Sequence, residues 1–346
     1  MFEKKSEIPL DQFIYKALYH PKKGYYMKNI PFGKDGDFIT APNISKIFSE
    51  MVFLWLISYW EKFHKNKKIN VVELGAGNGE LINQIIKSAE RFKYFSKSCN
   101  FIIYEKSNKL IDLQKKKLKN CKVKWQKNLD QLKECPTIFI GNEFLDALPI
   151  KQFIKSKNLW REIYVKRKEG VYSFTEKKCN MQKIENQLNI KITKKQKFLE
   201  ISFEAIEIIK KLNKIISKND GCILLIDYAY LNYEMHNTLQ GVKRHKSSNI
   251  LKDVGNTDIT HILNIPFLKK ISKNLNLELD YITQGEFLID LGILKRAEIL
   301  ASKKKFLEKA NIFYRVNRLI DKKQMGDLFK VMHFHKKNRK FKLGFR

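Results

Sequence analysis

The stretch Ile69-Asn70-Val71-Val72-Glu73-Leu74-Gly75-Ala76-Gly77-Asn78-Gly79-Glu80 decides the fold. Ile69 to Leu74 is a short buried-strand run, Gly75 to Gly79 a glycine loop, and Glu80 to Ala89 carries helical spacing, so the segment opens a β-α-β unit. Glycine is needed where the backbone turns sharply and a ligand approaches the place a Cβ would fill. The spacing is G-x-G-x-G with Glu80 following, which departs from the G-x-G-x-x-G dinucleotide fingerprint. With Glu73 two residues before the first glycine, the loop suits a nucleoside ligand without a pyrophosphate, and S-adenosylmethionine is one. Its amino acid end would lie over Gly75, Gly77 and Gly79. Its ribose hydroxyls need an acceptor at the end of the next strand, where Glu105 follows Phe101-Ile102-Ile103-Tyr104.

Outward from this unit the alternation continues. A lysine-rich helix is expected from Asn108 to Lys119, strands near Val123-Lys124-Trp125 and Thr137 to Ile140, and a strand at Cys222 to Asp227. A helix near Phe267 to Leu275, a strand at Leu277 to Ile282 and helices to about Lys330 follow. This pattern predicts an α/β fold whose parallel sheet is covered by helices on both faces. Upstream, Leu10, Phe13, Ile14, Ala17 and Leu18 have helical spacing, Pro21 to Asn43 is a loop, and an apolar helix runs from Ile44 to about Phe63. Ile150 to Thr175 looks like a hairpin with Gly170 as its turn, and a long helix follows at about Phe198 to Ser217. The expected organisation is a helical and loop region covering the site at 1–68, a main domain at 69–332 with an insertion at about 150–217, and a frayed basic tail at 333–346.

A second constellation, Gly141-Asn142-Glu143-Phe144-Leu145-Asp146-Ala147-Leu148-Pro149, directly follows a strand, and ligands of open α/β sheets bind outside the carboxyl ends of strands. Asn142 offers hydrogen bonds beside the cofactor. Glu143 and Asp146, three residues apart, suit a guanidinium or amine, which charge-assisted hydrogen bonds would orient. Gly33 to Pro42 could fold over the cofactor, with Asp37 and Thr40 as its contributors and Asn43 or Ser45 capping the next helix. His20, His245 and His261 are candidate bases. H-E-x-x-H, C-x-x-C, G-x-S-x-G and phosphate-loop patterns do not occur, so zinc protease, zinc ribbon and hydrolase readings lose support, and no metal is expected.

The chain has 346 residues, 43% hydrophobic and 30% charged, enough to bury a large core. Its net charge of +32 invites a nucleic-acid role, but 59 of the 68 basic residues are lysines spread over every segment. Such spread points to compositional bias, and no specific nucleic acid is expected. Five widely separated cysteines suggest reduced thiols in a bacterial cytoplasm. The start of the chain shows neither a signal-peptide nor a transit-peptide pattern. The longest apolar stretch, Met51 to Trp60, is far short of the roughly 20 residues that span a bilayer.

Several segments, in this order, resemble the MidA-like family of S-adenosylmethionine-dependent methyltransferases. They are Tyr19-His20-Pro21-Lys22-Lys23-Gly24-Tyr25-Tyr26, Gly36 to Pro42, Glu73 to Gly79, Asn142 to Pro149, Ile226-Asp227-Tyr228 and Thr238-Leu239-Gln240. Asp258-Ile259-Thr260, Gln284 to Leu288 with Leu291-Gly292-Ile293, and Met325 to Val331 continue the likeness, which covers about Ile8 to Met332. The Gly36-Asp37-Phe38 and Asn142 to Pro149 segments are its distinctive parts. The resemblance implies a seven-stranded Rossmann-like class I methyltransferase sheet with helical and inserted additions. It also implies symmetric dimethylation of an arginine on a protein substrate, a subunit of respiratory complex I, during assembly. Asn43, Lys46 and Asn264 stand where the family usually has Glu, Gln and Asp. In this reading Glu73, the three loop glycines, Glu105 and Asn142 hold S-adenosylmethionine, while Glu143, supported by Asp146, neutralises the guanidinium. The rival readings are an RNA or small-molecule methyltransferase, and an assembly chaperone that binds the cofactor without turnover. Oligomeric state is not legible.

Overall fold

The computed structural model describes residues 6–28 and 39–346. Two compact units are built from interleaved stretches: 6–28, 145–210 and 229–276 form the first, and 39–144, 211–228 and 277–346 the second. The expected covering region at 1–68 is thus divided between them. The expected insertion at 150–217 lies mostly in the first unit, together with segments from both sides of it in the chain.

The principal sheet is mixed. Its strands are β1 (Ile69–Leu74), β2 (Cys99–Tyr104), β3 (Val123–Gln126), β4 (Thr137–Asn142), β5 (Gly221–Tyr230), β6 (Leu263–Asn264), β7 (Glu278–Thr283) and β8 (Phe329–His335). The order is β7-β8-β5-β4-β1-β2-β3, with β6 paired to Ala229 and Tyr230 at the end of β5, so the sheet has eight strands where seven are expected. The pairs β1–β2, β1–β4, β2–β3 and β4–β5 are parallel, as the alternation predicts, whereas β8 runs antiparallel to both neighbours. All six residues of β1 are buried, which is why its apolar residues Ile69, Val71, Val72 and Leu74 show no in-out alternation. Two of its buried side chains are polar, Asn70 and Glu73; Asn70 is held by hydrogen bonds from Nδ2 to the Lys133 carbonyl (2.9 Å) and to Thr137 Oγ1 (3.2 Å).

The apolar helix α1 (Lys46–His64) starts where Ser45 Oγ accepts from the Ile47 amide at 3.3 Å, so Ser45 and not Asn43 is the cap. It buries residues on several faces, including Trp55, Leu56 and Tyr59, in the same core as Val71, Ile82 and Ile138. The expected frayed tail is not one. Phe329 to His335 form the fully buried strand β8, and Phe341 returns to pack edge-on against Trp55 and Tyr59. Arg339 pairs with Asp220, Trp55 Nε1 donates to the Leu343 carbonyl at 3.0 Å, and the Gly344 amide donates to Asp290 at 2.6 Å. The flanking lysines hid an apolar run, Phe329, Val331, Met332 and Phe334, that is only four residues deep. Within β8, burial and the neighbouring His335 ring hold His333 well below the ordinary imidazole pKa.

In the first unit, the expected hairpin is present as Lys151–Ser156, Leu159–Lys168 and Val171–Lys178, joined into a five-stranded sheet by Ser6–Pro9 and Phe198–Ile201. Helix Leu10–Tyr19 buries the five apolar residues that its spacing picks out, in one cluster with Ile150, Ile163 and Val165. The long helix expected from Phe198 begins later, at Phe203, because Phe198–Ile201 pair with Lys151–Ile154, a tertiary contact that local periodicity does not encode. The polar segment after β5 carries a small sheet, with Gln240–Lys243 between Lys246–Ser248 and Asp258–Thr260.

Candidate active site

The glycine loop leaves the carboxyl end of β1 and enters helix α2 (Glu80–Ala89). Gly75, Gly77 and Gly79 have φ of +64°, +51° and +75°, the left-handed region that L side chains disfavour. At Gly75 space is limiting as well, since a Cβ there would stand 2.8 Å from a ring carbon of Phe144. Gly75→Ala is therefore expected to lower stability by about 1–3 kcal/mol. A denaturant titration checks this, and calorimetry with S-adenosylhomocysteine should show at least tenfold weaker binding.

Glu73, Gly75, Gly77, Asn78, Thr40, Asn43, Asn142 and Glu143 line one cleft in the second unit. Glu73 is buried, and its Oε2 accepts from the Ile82 amide at 3.1 Å, within the first turn of α2. Burial raises its pKa from 4.5 to about 8; the Ile82 hydrogen bond works against this, and Glu105 and Glu80 add to it. Ahead of α2, Asn78 Oδ1 accepts from the Glu80 amide (3.2 Å) and its Nδ2 donates to Asn43 Oδ1 (2.8 Å), and Asn43 Nδ2 donates to Thr40 Oγ1 (2.7 Å). The described end of the covering segment is thereby tied to the glycine loop. A glutamate at position 43 could accept from Asn78 but could not donate to Thr40, so the asparagine makes a two-sided link. Asp37 lies outside the described residues.

Glu105 stands at the end of β2, as expected, but is not among the residues lining the cleft. Its Oε1 accepts from the Ser107 amide at 2.9 Å and its Oε2 from Gln114 Nε2 at 3.2 Å, and burial raises its pKa. Gln114, fully buried on the helix Asn108–Lys117, also donates to the Gly77 carbonyl (2.9 Å) and accepts from Trp125 Nε1 (3.0 Å). One amide thus ties the glycine loop, Glu105 and β3 together. Its role is not marked locally, because a glutamine in a lysine-rich helix looks like a solvent-facing polar residue; its offset of four from Leu110 is the available signal. Gln114→Leu strands the Trp125 donor and the Gly77 acceptor, and about tenfold weaker cofactor binding by calorimetry is expected, from 1–3 kcal/mol per buried unpaired group.

At the end of β4, Glu143 has φ of +54°, an uncommon conformation for a branched-free acid and one that functional positions often retain. Its amide donates to the Ile226 carbonyl (2.9 Å), and its Oε1 accepts from Asn142 Nδ2 (2.8 Å). Next to it, Asp227 Oδ2 accepts from the Phe144 amide (3.2 Å) and Oδ1 from the Tyr228 amide (2.9 Å), so this buried carboxylate props the loop; no role was expected for it. Asn142 Oδ1 is buried without a protein partner, an acceptor free for a ligand N–H or O–H.

Asp146 belongs to the first unit, whereas Glu143 belongs to the second. It is buried, its carbonyl accepts from the His261 amide (3.1 Å), and its charge bears on Tyr26, whose hydroxyl donates to Asp258 at 3.0 Å. Burial, then Asp258, pushes the Tyr26 phenol far above its ordinary pKa. The three candidate histidines are also in the first unit. His20 Nδ1 accepts from the Lys22 and Lys23 amides at 3.2 Å and closes a turn, His245 sits exposed in a tight turn at φ +60°, and His261 is buried with its pKa pushed down to about 4.

The family model described as "Putative S-adenosyl-L-methionine-dependent methyltransferase" matches residues 51–283. The chain belongs to this methyltransferase family. It is 30% identical over 350 aligned residues to the protein arginine methyltransferase NDUFAF7, mitochondrial, of Xenopus tropicalis, covering 93% of this chain and 81% of that one. The human protein of the same name is 26% identical, with 95% and 80% covered. The fold matches a crystal structure of a Burkholderia thailandensis protein bound to S-adenosyl-homocysteine, with a TM-score of 0.80 at 21% identity, covering 98% of this chain and 89% of that one.

S-adenosylmethionine is the cofactor of this methyltransferase, and the cleft suits it. The Cβ-free loop at Gly75 and Gly77, the orphaned Asn142 acceptor and the Glu73 carboxyl match a ligand that carries an ammonium group and a cationic sulfur. Among the described residues no helix is long and apolar enough to cross a membrane.

Proposed function

We propose that this methyltransferase acts on arginine, dimethylating it symmetrically in a protein substrate, a subunit of respiratory complex I during assembly. The observation that carries the acceptor class is Glu143, a carboxylate held on the cleft wall by a left-handed backbone and the Asn142 amide. The relatives named as protein arginine methyltransferases, and the MidA-like resemblance, support the same acceptor. Bound S-adenosylmethionine supplies an electrophilic methyl on a sulfonium sulfur. Glu73, the glycine loop and Asn142 hold it, and Glu143 pairs with the guanidinium and takes the proton shed by the nitrogen that gains the methyl. The path β7-β8-β5-β4-β1-β2-β3 is our candidate for the seven-stranded class I sheet, with β6 an addition at the end of β5. A cytoplasmic site of action rests on the five cysteines being free thiols. The test is intact-mass and fragment-mass analysis of complex I subunits from cells with and without the gene. The expected result is a difference of two methyl groups on one arginine. No difference on any subunit, with cofactor binding intact, overturns the substrate and turns the search to RNA or small-molecule acceptors.

A further inference from the structure

Asp280, His333 and His335 gather at the edge of the principal sheet, each offering a ligand atom within 4.8 Å of the others. Their placement follows from strand geometry. His333 and His335 are two apart on β8 and so share a face, and Asp280 on β7 is the register partner of His333. His333 is fully buried, and neither of its ring nitrogens has a hydrogen-bond partner. A buried imidazole without a partner is costly and uncommon, and it calls for an explanation. His335 supplies a second observation. Its Nδ1 lies 2.8 Å from the Lys336 carbonyl, which can only accept, so Nδ1 carries the hydrogen. In the neutral ring this leaves the Nε2 lone pair facing Asp280 Oδ2 at 3.1 Å, two acceptors aimed at one point. A backbone carbonyl on Nδ1 is the usual device for presenting Nε2 to a metal. The 3.1 Å separation is close to the roughly 3.3 Å edge of a tetrahedron with bonds of about 2.0–2.1 Å.

We infer that His333, His335 and Asp280 form a site for one divalent transition-metal cation of the zinc class. The donor set of two imidazoles and one carboxylate suits zinc, and the third ligand, His333, completes it by a small ring movement. The site is structural. His333 to His335 lie beside the amino end of β5, next to Ile223, whereas the glycine loop leaves the carboxyl end of β1, three strands and roughly 14 Å across the sheet. Its effect is to clamp the edge strand β7 to β8, with Asp280, whose side chain is 30% exposed, as the side from which the ion enters.

The test uses the full chain, stripped with a chelator and titrated first with Co²⁺ and then with Zn²⁺. One equivalent of Co²⁺ should give the visible absorption of a four-coordinate site, which Zn²⁺ then abolishes. Zn²⁺ at a hundredfold over its Kd should raise Tm by about 4 °C. Asp280→Ala, at the exposed rim, and His333→Gln should each weaken binding at least tenfold and remove the Tm shift. If His333→Gln does not fold, Asp280→Ala decides. The inference is overturned if the parent chain shows neither absorption nor a Tm shift, or if Asp280→Ala takes up the ion as well as the parent does. All these readouts are independent of methyl transfer.

Discussion

Glu143→Gln should bind S-adenosylhomocysteine within about threefold of the parent and slow methyl transfer by about 10²–10³-fold, the range for removing one positioned acid–base group. The geometry argues for this split. Asn142 donates to Glu143 Oε1, and a glutamine oxygen can accept the same bond, so the left-handed turn and the cofactor side of the cleft should persist. What is lost is the negative charge that pairs with a guanidinium and the base that receives its proton. Single-turnover rates with a saturating arginine peptide, set beside calorimetric affinities, separate the two effects. A parental rate for Glu143→Gln would remove Glu143 from the chemistry. An equal loss of binding and rate would make it a scaffold residue. Because Asp146 falls in the first unit among Tyr26, Asp258 and the His261 amide, its replacement by asparagine should act on stability more than on turnover.

Glu73 governs the largest expected pH effect. Its folded pKa of about 8 lies above the ordinary 4.5, so between these values the folded chain holds a proton that the unfolded chain has released. Stability from this group is therefore complete below pH 4.5, falls as pH rises, and levels off above 8. The expected loss between pH 5 and pH 8 is about 3 kcal/mol. Glu73→Gln, which keeps an acceptor for the Ile82 amide, should flatten that slope and be more stable than the parent at pH 8.5. Cofactor affinity should move the other way. A cationic ligand favours the ionised carboxylate, so parental affinity rises by up to tenfold per pH unit between pH 6 and pH 8, while Glu73→Gln shows little change. Urea midpoints and calorimetry at four pH values measure both trends, and parallel slopes in parent and variant would place the titrating group elsewhere.

Much of the second unit was legible because its signals are local. The apolar run of β1, the glycine spacing and the amphipathic start of α2 each reflect burial or backbone conformation within a dozen residues, and φ values at Gly75, Gly77 and Gly79 are what that spacing demands. The acid at the end of β2 was found for the same reason. What it does was not, because Gln114, nine residues later, supplies the contact between Glu105 and the loop. Asn43 was visible as a departure from the family pattern, but only its two hydrogen bonds show how Asn78 and Thr40 are joined through it.

The sequence by itself determined the parallel β-α-β core, the glycine loop after its first strand and the position of Glu143 at a strand end, since periodicity, glycine placement and strand ends are properties of a continuous stretch. Tertiary structure alone decided three things. It made Phe329 to His335 a reversed strand beside the sheet edge, taking in the first three residues of the tail expected at 333–346, assigned Asp146 and Glu143 to different units, and set His333 and His335 against Asp280. Each depends on pairing between segments tens to hundreds of residues apart, where burial and register arise from partners that no local pattern can name.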